Sequence, residues 1–319
     1  MKKISLLLII AAIICTSCYQ YVWVPIPGYG EQKPSETFEP DATTSNELNV
    51  LLSSFSTGTE TEKTIKIANG NYVLSDLIDV GQGKSLTIIG ESDDAIISFD
   101  DSYFTADKIF QANSQNHFAL ISAEEGATLH LENITIKGKE LDAAAISTGT
   151  EIETILAVDA DVYLDGVTVE GVNWPDYFGM QTGFGLRTMG TSRENTITVK
   201  NSTFSGFQKC GILIASTADS STNNDKIAID GNTIIGAGDI DTIAQNGIQI
   251  STAKLSNIIS VTGNSLSNLN YTKEGSSATG IMLVSAGNNN EQSAFEAYAT
   301  ELEANNNFSN VPYPTSVYI

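Results

Sequence analysis

Apolar and polar residues alternate along this chain in short bursts, and six bursts follow one ten-residue template. They are residues 129–138 (LHLENITIKG), 162–171 (VYLDGVTVEG), 197–206 (ITVKNSTFSG), 227–236 (IAIDGNTIIG), 259–268 (ISVTGNSLSN) and, more weakly, Glu301 to Asn310. The first four positions alternate with the period of a strand that has one buried face. The inward set is then Leu129/Leu131, Val162/Leu164, Ile197/Val199, Ile227/Ile229 and Ile259/Val261. Position five is Asn133, Gly166, Asn201, Gly231 or Gly263. Gly and Asn tolerate a left-handed backbone, so a sharp bend is expected there. A second short strand follows, with Ile136, Val169, Phe204, Ile234 and Leu266 facing in. A third is opened by glycine, at Gly185, Gly211, Gly247 and Gly280.

Three short strands per unit of about 30 residues describe a coil, and a period of this length signals a solenoid whose units bury their apolar faces by stacking. The pattern resembles the right-handed parallel β-helix of pectate lyases, polygalacturonases and many bacterial surface proteins, over roughly Thr64 to Ile319. The expected fold is therefore all-β, a single-stranded right-handed parallel β-helix of about seven or eight coils. Ile212 and Ile214 join the inward set. Leucine-rich and hexapeptide solenoids fit less well, since neither their leucine spacing nor a six-residue period is present.

The open end of a solenoid needs a cover. Thr44-Ser-Asn-Glu47 can form a capping box, with Leu48, Leu51, Leu52 and Phe55 then on one face of an N-terminal capping helix. Near the other end, Ser293-Ala-Phe-Glu296 with Phe295, Tyr298 and Leu302 reads as a short helix. Asn305-Asn-Asn-Phe308 and Ser316–Ile319 suggest a last coil after it.

The N-terminus carries a separate signal. Lys2 and Lys3 precede an apolar run, Ile4 to Ile14, too short for the roughly 20 residues that span a bilayer. The order matches a secretory signal peptide, and Cys15-Thr-Ser-Cys18 resembles a bacterial lipoprotein box with Ser17 before the lipidated Cys18. Cys15 departs from the leucine usual at that place. The expected division is a signal peptide at 1–17, a tether at 18–45 holding four of the seven prolines, and a β-helix domain at 46–319. Several acyl chains on Cys18 would anchor the chain durably to a membrane of the bacterial cell envelope. With Cys15 removed and Cys18 acylated, Cys210 alone remains, so stability must come from stacking rather than disulfides.

The net charge is −22, and −24 without Lys2 and Lys3. That opposes nucleic-acid binding, which works through Lys and Arg, and less strongly opposes polyanionic substrates. Catalytic motifs of the resembled families are missing. Polygalacturonase-like enzymes pair aspartates with a Gly-His-Gly motif; the two histidines here sit in Asn116-His117-Phe118 and Leu129-His130-Leu131. Asp93-Asp94 and Asp100-Asp101 are adjacent acids but read as loop residues. Pectate lyases use a cationic base with aspartate-bound calcium; the two arginines, Arg187 and Arg193, lack that family's proline-containing motif. Arg187 is expected to stack beside Leu213, Gln249 and Met282. No catalytic residue and no metal ligand is assigned, and calcium enters only if the chain is such a lyase.

Outward positions offer a hydroxyl row, Thr135, Thr168, Thr203, Thr233 and Ser265, read as a β-propensity ladder. A neighbouring row begins His130, Tyr163, Thr198. The loop Asn173-Trp-Pro-Asp-Tyr-Phe178 differs: aromatic rings stack on sugar faces and carboxylates bond hydroxyls. Trp174, Asp176 and Tyr177 are the expected carbohydrate contacts; the competing reading buries the rings against the solenoid flank. The functional expectation is non-catalytic binding of a polysaccharide or surface partner. A polysaccharide lyase or glycoside hydrolase of an atypical branch is the alternative, and a bare structural spacer a third reading.

Overall fold

The computed structural model describes residues 38–141, 149–174, 181–190, 193–216, 224–285 and 292–318. Among the described residues, three sheets of seven, nine and eight strands, parallel except for the hairpin strand Phe110–Ala112, are built by a chain that visits each in turn. Thr128–Glu132 lies in the first sheet, Thr135–Lys137 in the second and Thr150–Val158 in the third; the chain then returns to the first with Asp161–Asp165. This is an all-β parallel solenoid.

Stacking places like on like. In the first sheet Leu129, Val162, Ile197 and Ile227 pair in succession, as do Leu131, Leu164, Val199, Ile229 and Val261. In the second, Ile136, Val169, Phe204, Ile234, Leu266 and Phe308 form one column. Leu186, Ile212, Ile248 and Ile281 do so in the third. One expected inward residue faces out. Ile259 is 64% exposed, and Ile258 fills the inward place. The register slips between Ile227 and Ala228, which pair with Ile258 and Ser260. Ile259 is the extra residue of a bulge, so it turns outward while Val261 keeps its inward place.

The bend at position five is left-handed in the first five copies of the template, with φ of 51° at Asn133, 64° at Gly166, 50° at Asn201, 69° at Gly231 and 67° at Gly263. The residue after the bend points inward, and in the later coils it is polar. Ser202, Asn232, Asn264 and Asn306 form a buried column. Asn232 donates from Nδ2 to Asn264 Oδ1 (3.0 Å), and Asn264 donates likewise to Asn306 Oδ1 (2.9 Å). The same amides satisfy Val199, Ile229 and Val261 carbonyls at 2.8 to 2.9 Å. The third sheet carries a glycine column for a steric reason. A Cβ on Gly185, Gly211 or Gly247 would lie 2.6 to 2.8 Å from the carbonyl oxygen of the glycine in the next coil.

Helix α1, Ser45–Thr57, covers the first coil through Leu48, Leu52 and Phe55. Its capping box is formed: Glu47 N donates to Thr44 Oγ1 (3.3 Å), and Thr44 N to Glu47 Oε2 (3.1 Å). Bonds donated to its carboxylate, chiefly by Thr43 N (2.8 Å) and Thr43 Oγ1 (3.0 Å) and to a smaller extent by Thr44, hold the Glu47 carboxyl below its ordinary range. At the other end of α1, the Lys84 ammonium donates to the carbonyls of Phe55, Ser56 and Gly58 at 2.7 to 3.0 Å. The first coil's open backbone is also bonded. Val73 N donates to Ser45 Oγ (2.9 Å), Asn49 Nδ2 to the Val73 carbonyl (3.3 Å), and Lys66 N to Asp41 Oδ2 (2.7 Å). Ala42 is fully buried and bridges Ile67. Residues just ahead of α1 thus pack onto the first coil.

The last coil is half helical. Helix α2, Gln292–Asn305, follows the third-sheet strand Thr279–Ser285 and takes the place of a first-sheet strand. It buries Phe295, Ala299 and Leu302. The first half of the sixth template copy is therefore helix, and only Asn307–Ser309 pairs as a strand.

Candidate functional site

Two places concentrate chemistry, and the first surrounds the aromatic loop. Asn173 and Trp174 are part of the stack rather than an excursion from it. Leu141 N donates to the Asn173 carbonyl (2.8 Å), Asn173 Nδ2 to the Gly206 carbonyl (3.0 Å), and Trp174 N to Gln208 Oε1 (2.6 Å). The backbone so fixed turns the indole inward. Trp174 is 2% exposed and belongs to the main core with Val172, Leu141 and Phe207. A ring in that position offers no face to a sugar, so Trp174 is a packing residue and not the expected contact. Asp176 and Tyr177 lie outside the described residues.

Beside Asn173 runs a groove of about 460 Å³. Phe207, Ile235, Ile240 and Ile243 give it an apolar wall; Glu140 and Asn173 give it a polar rim. Ile235 is 36% exposed. The groove exists because a register shift between Ile235 and Gly238 bulges the strand Thr233–Ile240, and a bulge redirects side chains. Gln245 clamps the bulge: its Oε1 accepts from Ala237 N (2.8 Å), and its Nε2 donates to the Phe207 carbonyl (2.8 Å). The groove is preformed.

The second place lies on the outer side of the third sheet, across three successive coils. Arg187 does stack on Leu213, and through it on Gln249 and Met282, as expected. In the other direction it meets carboxylates. Arg187 Nη1 donates to Glu153 Oε1 (3.0 Å) and lies 3.0 Å from Glu151 Oε2, within ion-pair reach but outside hydrogen-bond alignment. His117 Nδ1 shares Glu153 Oε1 at 3.0 Å. His117 and Glu153 are fully buried. Burial raises the Glu151 carboxyl above its ordinary range, and Arg187 pulls it part of the way back. Phe184 lies under the guanidinium, 5.1 Å from ring centre to Cζ, and Phe110 flanks the imidazole at 6.1 Å. Phe110 gets there through a hairpin, Phe110–Ala112 on Gln115–Ala123, whose two turn residues Asn113 and Ser114 both have positive φ, the geometry that matches strand twist.

The four side chains come from three successive coils, with Glu151 and Glu153 on one strand, 36 residues from His117 to Glu153 and 34 from Glu153 to Arg187. That spacing was the available signal, and reading each motif singly misses it. The other acids of the sequence reading are accounted for locally. Asp100 caps a 3₁₀ turn by accepting from Ser102 N (2.9 Å), and Asp101 pairs with Lys139 (2.6 Å). Asp93 accepts Thr135 Oγ1 on its backbone carbonyl (2.8 Å). The hydroxyl row is in register from Thr135 to Ser265, and the His130 and Tyr163 rings neighbour each other at 6.0 Å. Among the described residues, no group of three or more His, Cys, Asp or Glu side chains is arranged to hold a metal ion.

Fold and site together define a parallel β-solenoid protein with a preformed flank groove and a buried ionic cluster. The chain matches no protein-family model, no curated protein and no solved structure with which it was compared.

Proposed function

We propose that this chain is a lipid-anchored protein of the bacterial cell envelope, held at Cys18, whose right-handed, pectate-lyase-like solenoid binds carbohydrate along its flank without cleaving it. The groove beside Asn173 carries the reading. Its apolar wall of Phe207, Ile235 and Ile240 suits the apolar faces of sugars, and its amide and carboxylate rim suits their hydroxyls. Asp176 and Tyr177, which follow Trp174 closely in the sequence, remain the proposed polar and aromatic contacts. The acidity of the chain favours a neutral glycan over a uronate.

The test is a polysaccharide array read for both binding and product release, with Ile235→Lys and Tyr177→Ala as groove variants. Either substitution should weaken binding about tenfold or more, as loss of an anchoring contact does, with melting unchanged. No retained glycan, or retention indifferent to both variants, overturns the assignment; retention of a surface protein instead would move the groove to that partner class. Separately, Cys18→Ser should release the protein from membranes on fractionation, and unaltered membrane association would refute the anchor.

The enzyme reading has one observation in its favour. Glu153 holds His117 through Nδ1, and Nε2 has no hydrogen-bond partner among the described residues, the orientation of a general base. It requires the buried imidazole to be uncovered. Release of reducing or unsaturated sugars, abolished by His117→Gln, would establish it.

A further inference from the structure

The ionic cluster on the third sheet has an imbalance that the binding function does not use. Two carboxylates, Glu151 and Glu153, share one guanidinium, Arg187, and one imidazole, His117. With both glutamates ionised and the imidazole neutral, the cluster carries one more negative than positive charge. Water screens it poorly: His117 and Glu153 have no solvent exposure, the Arg187 side chain is 11% exposed, and Glu151 alone, at 26%, reaches solvent. A net charge so largely buried is costly, and such sites neutralise by taking up a proton.

Among the described residues, the surrounding elements do not supply the missing positive charge. The groups acting electrostatically on Glu151 are Arg187, Glu153 and His117. The hairpin strand brings Phe110, the next coil brings Phe184, and the coil after that brings Cys210 into the same row. Burial pushes the Cys210 thiol up to about 12, so it stays neutral. Polar atoms are also left over among the described residues. His117 Nε2, Glu153 Oε2 and Arg187 Nε are buried without a hydrogen-bond partner. A proton on the cluster creates a donor where acceptors are in excess.

We propose that His117, Glu151, Glu153 and Arg187 form a proton-binding site that fastens three adjacent coils while one proton is held and loosens when it is lost. Glu151 is the port. Its side chain is 26% exposed, more than any other in the cluster. The direction follows from linkage. A carboxyl raised in the folded state binds its proton more tightly there than in the unfolded chain. Its contribution is therefore complete at pH below the unfolded value and is lost as pH rises through the folded value.

The experiment compares the full chain with Glu151→Gln, which removes the surplus negative charge and keeps the shape. Urea unfolding is followed between pH 4.5 and 8.5. Over the window where the cluster gives up its proton, the unfolding constant of the unsubstituted chain should rise, relative to the variant, by up to about tenfold per pH unit, the effect of one proton. Parallel profiles, or a constant offset at every pH, would overturn the proposal and leave the cluster a plain ion network. Should the variant not fold, the proton count decides. Unfolding the unsubstituted chain in weak buffer at a series of pH values from 4.5 to 8.5 should release, within that range, up to about one proton more than unfolding Arg187→Met/Glu151→Gln/Glu153→Gln, in which the cluster carries no charge besides the imidazole. Equal release refutes it.

Discussion

Asn264 is the sharpest place to test what holds the coils in register. Its side chain is fully buried. Nδ2 donates to the Ile229 carbonyl (2.8 Å) and to Asn306 Oδ1 (2.9 Å), while Oδ1 accepts from Asn232 N and Asn232 Nδ2 (both 3.0 Å). Asn264→Ala removes all four bonds. Asn232 Nδ2 keeps Val199, and Asn306 Oδ1 keeps Asn264 N. The Asn232 amide is left as a buried orphan, and the Ile229 carbonyl loses its side-chain donor. At about 1–3 kcal/mol for the orphan and about 1 kcal/mol for the other lost bonding, the expected loss is about 3 kcal/mol. Neighbouring Ser265→Ala, on the exposed face, should stay within about 0.5 kcal/mol. The assay is urea unfolding monitored by circular dichroism, with limited proteolysis to locate the opening. Cuts should cluster in the coils after Asp230, because solenoid repeats are stabilised mainly by their neighbours. Asn264→Asp refines the argument. Its carboxylate would face the Ile229 carbonyl without a proton to donate, so the variant should recover stability as pH falls and the acid protonates. A loss under about 1 kcal/mol for Asn264→Ala, or an Asp variant indifferent to pH, would show that the column is filler and that apolar stacking alone sets the register.

Lys84→Met leaves the last carbonyls of α1 without their ammonium; hydrogen bonds to charged groups contribute about 1.5–3 kcal/mol, and hydrogen exchange should accelerate in α1 before any other element. Trp174→Ala should destabilise by about 3–5 kcal/mol, the range for emptying a buried aromatic site; an unchanged melting temperature would refute its placement in the core. Glu47→Gln should fray α1 at pH 7 and be indistinguishable from the unsubstituted chain at pH 2. A carboxyl held low in the fold stabilises above its unfolded value, and that gain vanishes as pH falls through the folded value; exchange rates in α1 at the two pH values decide it.

Short-range pattern announced most of the fold. Position five revealed its left-handed bend because only Gly and Asn occupy it, and Thr44 with Glu47 announced the start of α1. Pattern failed where a decision depended on the adjacent coil. Alternation with Val261 points Ile259 inward, but the strand bulges there and Ile258 fills the place instead. Glu301–Asn305 fits the template loosely, yet Phe295, Ala299 and Leu302 make it the end of a helix. Trp174 looked like a contact because rings beside an acid suit sugars; hydrogen bonds from both neighbouring coils turn it inward instead. The ionic cluster was invisible for the same reason: nothing in the ten residues around Glu153 hints at His117 or Arg187, each a full turn away.

The sealing of the first coil governs how these molecules can meet. A solenoid is a column of strands, and a column with two bare ends is the natural subunit of a filament, each molecule templating the next. Here Asp41 occupies the amide of Lys66, and Ser45 and Asn49 occupy both backbone groups of Val73. A second molecule arriving at that end finds these bonds already made by α1 and the segment before it, so polymerisation through the first coil is blocked by the chain's own opening residues.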